Sequence, residues 1–343
     1  MKRRFGYLSI LIILLCNSCE ISSPDGFYDD DDANLNQTLT LVVDEDVVLQ
    51  TSEVEVTVLD QNNIDVTPSV TLFLNGTEVS GNIVALNNSG FNELSAERGL
   101  ESSNVVTVEA VEPSYTTKVL IEDYTGAWCG WCPRMSQGIS DLSDNPAIVP
   151  IAIHNGDSMA FRLESQMADE FGVQGYPTGL LNRSSFWNRV SNDAMDLNEP
   201  LVYADKVVGA GLAITSTVNS TMISVDVKVG FDIGMTGGKL IVYALENGII
   251  EEQTNYTNNY GAQDYISDYE HNHILKANLS ELFGDMIPET DQERGVEFSK
   301  SYNYNAAGVA DVAGMEIVAM LVDVNGKVVN VQKADVGTVK DFD

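Results

Sequence analysis

Cys129 and Cys132 are the side chains in this sequence best suited to chemistry. Their two intervening residues let the sulfurs close a small disulfide ring, and free N–H groups at a helix start stabilise a thiolate. Pro133 suits a first helical turn, because the backbone N–H that it lacks is not needed there. The spacing predicts thiol–disulfide chemistry, with Cys129 as nucleophile and Cys132 as the resolving thiol.

The alternative use of such a pair is half of a zinc site. Zinc would need two further ligands, from carboxylates or from His154, His271 or His273. The only other cysteines lie near the N-terminus, and the sequence has no second Cys-x-x-Cys or Cys/His cluster. We therefore expect no metal and no cofactor.

The three histidines also have structural interpretations. His154 follows an apolar run and is either an acid–base group or a partly buried residue at a strand end. His271 and His273 sit at the start of an apparent strand, so a period of two would place both imidazoles on one face. That arrangement permits either metal binding or a hydrogen-bonded pair.

Apolar segments around the cysteines predict the elements that position them. Residues 119–121 form a β-type run, and residues 148–153 have the composition of a buried central strand. Residues 161–171 have helical spacing, and residues 179–181 start an edge hairpin whose turn is residues 182–185.

The cysteine segment resembles the thioredoxin family. The resemblance rests on three features. They are a Trp-Cys-x-x-Cys site at 128–132, a carboxylate (Asp123) six residues before its first cysteine, and a later Gly-Tyr-Pro-Thr loop at 175–178. It departs from the family in having Trp131 between the cysteines and Pro133 after them. It implies an α/β fold with a cis bond before Pro177.

Roles for the neighbouring side chains follow from this resemblance. Asp123, if buried, would have a raised pKa and would relay a proton to or from Cys132. Tyr176 and Pro177 would shape a groove for the substrate chain. Trp128 and Trp131 would flank it with apolar surface suited to an extended peptide, although plain packing explains tryptophans as well.

The N-terminus reads as a targeting segment. Residues 1–19 combine a basic start, a short apolar run and Ser18 before Cys19, which resembles a bacterial lipoprotein signal with lipidation at Cys19. An ordinary signal peptide is the alternative. Residues 20–37 include four consecutive aspartates and predict an acidic tether, a calcium site or a surface-export signal.

Charge excludes two classes of partner. The chain has 18 basic and 51 acidic residues, a net charge of −33. Nucleic acids and anionic lipid surfaces are bound through lysine and arginine, so neither is an expected partner. We expect contact with a membrane only through the lipid anchor.

The 343 residues are too many for one small α/β domain. Alternating valines predict an immunoglobulin-like β domain at 38–112 and a β-sandwich at 210–343, with the thioredoxin-like domain at 113–209. The predicted fold class is thus an α/β thioredoxin-like domain flanked by two all-β regions.

The whole chain also resembles the outer membrane protein 28-related lipoproteins of Bacteroidetes-type bacteria. The residues that carry this second resemblance are 122–134, the Tyr-Pro loop and the segment His-Asn-His-Ile-Leu-Lys at 271–276. It implies an outer membrane location.

Two functions follow as expectations. The first is a thiol–disulfide oxidoreductase that acts on disulfide-containing or thiol proteins of the envelope; neither its electron donor nor its direction is indicated. The alternative is a surface binding or structural lipoprotein that uses the α/β domain as a scaffold.

Overall fold

The computed structural model describes residues 36–261 and 263–343. The predicted signal peptide and Cys19 lie outside the described residues, as does the acidic tether except for its last two positions, which begin the first strand. Within the described residues, no helix is both long and apolar enough to span a bilayer.

The N-terminal region folds as nine strands around its own hydrophobic core. Val54, Val56 and Val58 are fully buried and alternate with more exposed residues, as period-two patterning requires. Asn75 and Gly76 form a tight turn with φ of 51° and 74°, which this residue pair adopts readily. The strands are β1 (Asn36–Val43), β2 (Val47–Leu49), β3 (Glu53–Leu59), β4 (Thr71–Leu74), β5 (Thr77–Val79), β6 (Ile83–Ala85), β7 (Gly90–Arg98), β8 (Glu101–Ser103) and β9 (Val106–Val111).

The cysteine region supplies four strands and the three α-helices of the described chain. Its two parallel strands are apolar because both of their faces are buried. In chain order the elements are β10 (Val119–Thr125), α1 (Pro133–Asp141), β11 (Ile148–His154), α2 (Glu164–Glu170), β12 (Thr178–Leu181), β13 (Ser185–Phe186) and α3 (Asn198–Ala204).

The C-terminal region is β-rich. Its strands are β14 (Ala210–Asn219), β15 (Met222–Phe231), β16 (Lys239–Glu246), β17 (Ile249–Thr254), β18 (Tyr265–His271), β19 (Ile274–Asn278), β20 (Asp285–Met286), β21 (Glu297–Asn305), β22 (Glu316–Val322), β23 (Val328–Asp335) and β24 (Val339–Lys340). Short 3-10 turns lie at Thr67–Ser69, Asn259–Gly261, Glu289–Asp291 and Val312–Gly314.

One nine-stranded mixed sheet, called here the central sheet, joins the last two regions. Its order is β13-β12-β10-β11-β19-β16-β22-β23, with β20 beside β16. Strand β10 runs parallel to β11, and β11 runs parallel to β19 through the pair Ala152 and Ile274. A four-stranded sheet, β21-β15-β14-β24, packs against the C-terminal strands of the central sheet.

Apart from its two end residues, strand β16 is apolar because both of its faces are buried. Leu240 and Val242 pack into the core shared with β14, β15 and β21. The intervening Ile241 and Tyr243 face the opposite side and share a core with β10, β11 and α2. Because both faces are covered, the alternation of a half-exposed strand is absent.

The predicted fold class, an α/β thioredoxin-like domain between two all-β regions, is wrong. The described chain is mostly β, and its α-helices have only nine, seven and seven residues. The strands around the cysteines continue into β19, β16, β22 and β23 of the central sheet. Period-two patterning shows that a segment is a strand but does not show which sheet it joins, and this is where the prediction failed.

Candidate functional site

Cys129 and Cys132 form a disulfide at the junction of β10 and α1. Their Cα atoms are 5.4 Å apart. Cys132 is the residue that precedes α1, and Pro133 is its first helical residue. The fully buried strand β10 leads into this loop, so the disulfide is held between a core strand and a helix start.

Both cysteines are buried. Cys129 is 4% exposed and Cys132 is 1% exposed. A segment of the C-terminal region, residues 253–256, lies across the loop that contains them. The backbone N–H of Thr254 donates to the carbonyl of Ala127 at 2.9 Å, and that of Tyr256 donates to the carbonyl of Gly130 at 2.6 Å.

Side chains of the 253–256 segment tighten this contact. Gln253 is buried, and its Nε2 donates to the carbonyl of Cys129 at 3.0 Å. The ring of Tyr256 lies so close to Gly130 that a Cβ there would be 2.4 Å from its Cδ2 atom. A side chain at position 130 would therefore have to displace this ring. Trp131 packs edge-on against the same tyrosine, with ring centroids 5.9 Å apart.

Asp123 lies in the middle of β10 and is 2% exposed. Its Oδ1 atom has no hydrogen-bond partner. Burial raises the pKa of the Asp123 carboxyl to about 8, because the charged form is poorly solvated inside the protein. The group is therefore mostly protonated at neutral pH and can donate a proton.

The peptide bond between Tyr176 and Pro177 is cis, as predicted. Tyr176 donates its hydroxyl proton to Glu164 and packs edge-on against Trp128, with ring centroids 5.5 Å apart. Trp128 is 50% exposed, and its Nε1 donates to the carbonyl of Asn155 at 2.7 Å. This tryptophan is thus held in place from two sides.

A groove of about 770 Å³ lies beside the disulfide loop. It brings together three of the four residues predicted to bind substrate: Trp131, Tyr176 and Pro177. Trp128 is not among its lining residues. Two arginines also line the groove, Arg134 and Arg189, which the sequence analysis did not single out.

A second cavity of about 570 Å³ lies between α1, the central sheet and the β17–β18 hairpin. Asp123, His154 and His271 line it together with Tyr260 and Tyr269. Burial, and then the nearby His154, lowers the pKa of His271 to about 4, and its Nε2 atom has no partner. At neutral pH the cavity therefore contains an uncharged carboxyl and an uncharged imidazole.

The histidine pair differs from its prediction. His271 is the last residue of β18, and His273 has a φ of 58° in the turn before β19, so the two do not share one strand face. His273 Nδ1 lies 2.8 Å from a carboxylate oxygen of Glu316. His154 is the buried last residue of β11 and contacts Asp157 at 2.8 Å. In the described part of the chain, no cluster of three or more metal-ligating side chains occurs.

Sequence reasoning missed the 253–256 segment and the two groove arginines. The Tyr/Asn-rich composition near residues 255–269 was the available signal, because such side chains pack and hydrogen-bond at close contacts. Contact with a loop more than a hundred residues earlier leaves no local pattern. Arg134 was obscured by its position inside a predicted helix.

Comparison with known families identifies the chain. The family model of the outer membrane protein Omp28 matches residues 164–340, more than half of the sequence. The chain belongs to this family. The predicted location, the outer membrane with a lipid anchor, is therefore confirmed, whereas a thioredoxin-like fold is not. No curated protein matches the sequence significantly.

The solved structures that match the chain include two from Porphyromonas gingivalis and one from Agrobacterium tumefaciens. HBP35 of Porphyromonas gingivalis is 18% identical, with a TM-score of 0.52 over 65% of this chain and 76% of its own. A protein from Agrobacterium tumefaciens is 15% identical, with a TM-score of 0.41 over 66% and 98%. A domain of the outer membrane lipoprotein Omp28 from Porphyromonas gingivalis is 18% identical, with a TM-score of 0.26 over 38% and 91%.

Proposed function

We propose that this Omp28-family lipoprotein exchanges disulfides with thiol or disulfide-containing proteins of the cell envelope. The observation that supports the proposal is a disulfide at a helix start, together with a carboxyl in the buried strand before it that stays protonated at neutral pH. Cys129–Cys132 supplies the electron acceptor, and Asp123 supplies the proton. A purely structural disulfide has no need of a buried, unpartnered acid.

The proposed step conserves atoms and electrons. A thiolate of the substrate attacks the Sγ of Cys129, so that a mixed disulfide forms and the Cys129–Cys132 bond breaks. The departing Cys132 thiolate takes the proton of Asp123. A second substrate thiolate then attacks the substrate sulfur of the mixed disulfide and releases Cys129 as a thiolate. Two electrons pass from the substrate to the protein, and the reverse sequence reduces a substrate disulfide.

The groove beside the loop is where the substrate chain would lie. Trp131 is 39% exposed there, and Tyr176 and Pro177 form its far wall. Aromatic and proline surface of this kind suits an extended peptide better than a small polar molecule.

A specific observation favours a second candidate, a surface binding or structural lipoprotein. Neither cysteine is more than 4% exposed, and the 253–256 segment occupies carbonyl groups of the loop that carries them. In this case the disulfide holds the loop against the C-terminal region and takes no part in chemistry. The family assignment supports this second role better than the first.

Single-turnover exchange with a model peptide distinguishes the two. The oxidised protein is mixed with an excess of a two-cysteine peptide, and disulfide formation in the peptide is followed by mass spectrometry. We expect oxidation by the wild type and none by Cys129→Ser. Starting from reduced protein and the oxidised peptide, Cys132→Ser should accumulate a mixed disulfide at Cys129, because the resolving thiol is absent. If wild type and Cys129→Ser are equally inert while both remain folded, the structural role stands and the redox proposal fails.

A further inference from the structure

Arg134 lines the groove and has hydrogen-bonding capacity that the protein does not use. The residue is 6% exposed, and its Nη1 donates to the carbonyl of Asn192 at 2.9 Å. Its Nε atom is buried and has no partner. A guanidinium has five N–H donors in a fixed fork, and an unpaired donor inside a protein carries a desolvation cost.

Arg189 lines the same groove and is exposed. Within residues 36–261 and 263–343, neither arginine has a carboxylate at ion-pair distance; the arginines that do are Arg98, Arg183 and Arg294. The charge of Asp193 acts on Arg134, but the carboxylate oxygens of Asp193 accept hydrogen bonds from the backbone N–H and Nδ2 of Asn258 at 2.9 and 2.8 Å.

The groove brings together two guanidiniums that have no carboxylate partner in the described chain. Acidic residues outnumber basic ones by 51 to 18, so a carboxylate partner is easy to supply. Arg134 and Arg189 line the same groove, and burial, and then the charge of Arg189, lowers the pKa of Arg134. An anion in the groove would offset these two positive charges and accept hydrogen bonds from the exposed guanidinium of Arg189.

The apolar residues that line the groove indicate which other side chains the bound molecule carries. Phe186 is 51% exposed and Trp131 is 39% exposed, and both line the groove with Tyr176 and Pro177. Aromatic surface beside two cations matches a peptide that combines apolar and acidic side chains.

We propose that this groove binds an extended segment of a substrate protein in which acidic side chains flank the reacting cysteine, with Arg134 and Arg189 holding a carboxylate. The inference rests on the proposed function, because it presents the peptide's cysteine to Cys129. The net charge of −33 repels such a peptide at long range. The arginines therefore act within the groove and raise residence time more than association rate.

Binding is tested without any redox step. Two fluorescein-labelled peptides carry serine in place of cysteine, flanked by two glutamates in one and two glutamines in the other. Each is titrated with the oxidised full-length protein, and fluorescence anisotropy gives the Kd. We expect the wild type to bind the glutamate peptide about threefold to tenfold more tightly, the range given by a solvent-accessible ion pair or an ordinary hydrogen bond.

Arg189→Gln is the decisive variant, because its exposed side chain is replaced without disturbing the core. It should reduce the preference below about twofold, which is the loss expected for one charge-assisted contact. Arg162→Gln is the matched control: Arg162 is also exposed and without a carboxylate partner in the described chain, but it lies outside the groove. Arg134→Gln should act like Arg189→Gln.

Equal affinity of the wild type for both peptides would overturn the inference. So would an equal loss of preference in Arg189→Gln and Arg162→Gln, because a general charge effect would then explain the data. Cysteine versions of the two peptides separate this inference from the proposed function. Preserved preference without exchange refutes the redox function alone, whereas exchange without preference refutes the groove assignment alone.

Discussion

Replacing Asp123 by asparagine should remove a pH dependence that this buried carboxyl imposes on stability. The pKa of Asp123 is about 8 in the folded protein and 3.8 as the reference for an exposed group. Between these values the unfolded chain has lost a proton that the folded protein still holds. The contribution of this group to the free energy of unfolding is therefore fully present below about pH 4, and it is lost as the pH rises to 8.

The expected magnitude is large enough to measure. Each pH unit in this window costs about 1.4 kcal/mol, so raising the pH from 5 to 8 should lower the free energy of unfolding by about 3 to 4 kcal/mol through this one group. In Asp123→Asn that component is absent. From pH 5 to 8, the free energy of unfolding of the variant minus that of the wild type should therefore rise by the same amount.

Urea unfolding followed by tryptophan fluorescence is the assay. The three tryptophans of the chain, Trp128, Trp131 and Trp187, all lie in the region around the disulfide, so the signal reports on that region. Asp144→Asn, which changes an exposed carboxyl just after α1, is the control and should follow the wild type. Parallel pH profiles for the wild type and Asp123→Asn would refute the protonated state of Asp123.

Three further outcomes are expected. Arg183→Met should lower the free energy of unfolding by about 3–5 kcal/mol in urea titrations, because it strands the buried Glu122 that Arg183 contacts at 2.6 Å; a cost below about 1 kcal/mol would contradict this. Gly130→Ala should displace the ring of Tyr256, cost about 1–3 kcal/mol by the same measurement and speed the reduction of the disulfide by dithiothreitol; unchanged stability and reduction rate would argue against the close contact. Mass spectrometry of the mature protein should find an acylated Cys19 at its N-terminus, and an unmodified start at another residue would remove the lipidation assignment.

Local structure near the site was largely predictable from the sequence. The apolar runs at 119–121 and 148–153 became β10 and β11, because short β-branched segments bury well on both faces of a sheet. The helical spacing of 161–171 became α2, although the helix spans only Glu164–Glu170. Each of these predictions rests on residues within the element that it predicts.

Long-range contacts were not predictable in this way. The amide of Ala152 donates to the carbonyl of His273 at 2.7 Å, which joins β11 to the C-terminal strands, and neither residue carries a local sign of this pairing. Arg183 was assigned to a hairpin turn, where arginine is ordinarily solvated. It is buried instead, because its partner Glu122 is buried in β10, 61 residues earlier.

The reduction potential of the Cys129–Cys132 pair tests the proposed chemistry most directly. The protein is equilibrated in buffers with defined ratios of reduced to oxidised dithiothreitol and glutathione, and the reduced fraction is read by alkylation and mass spectrometry. Asp123→Asn is measured alongside the wild type. For an exchange-active pair we predict a midpoint between about −120 and −270 mV, the range of known thiol–disulfide enzymes. A midpoint below about −300 mV would identify a structural disulfide and contradict the redox function.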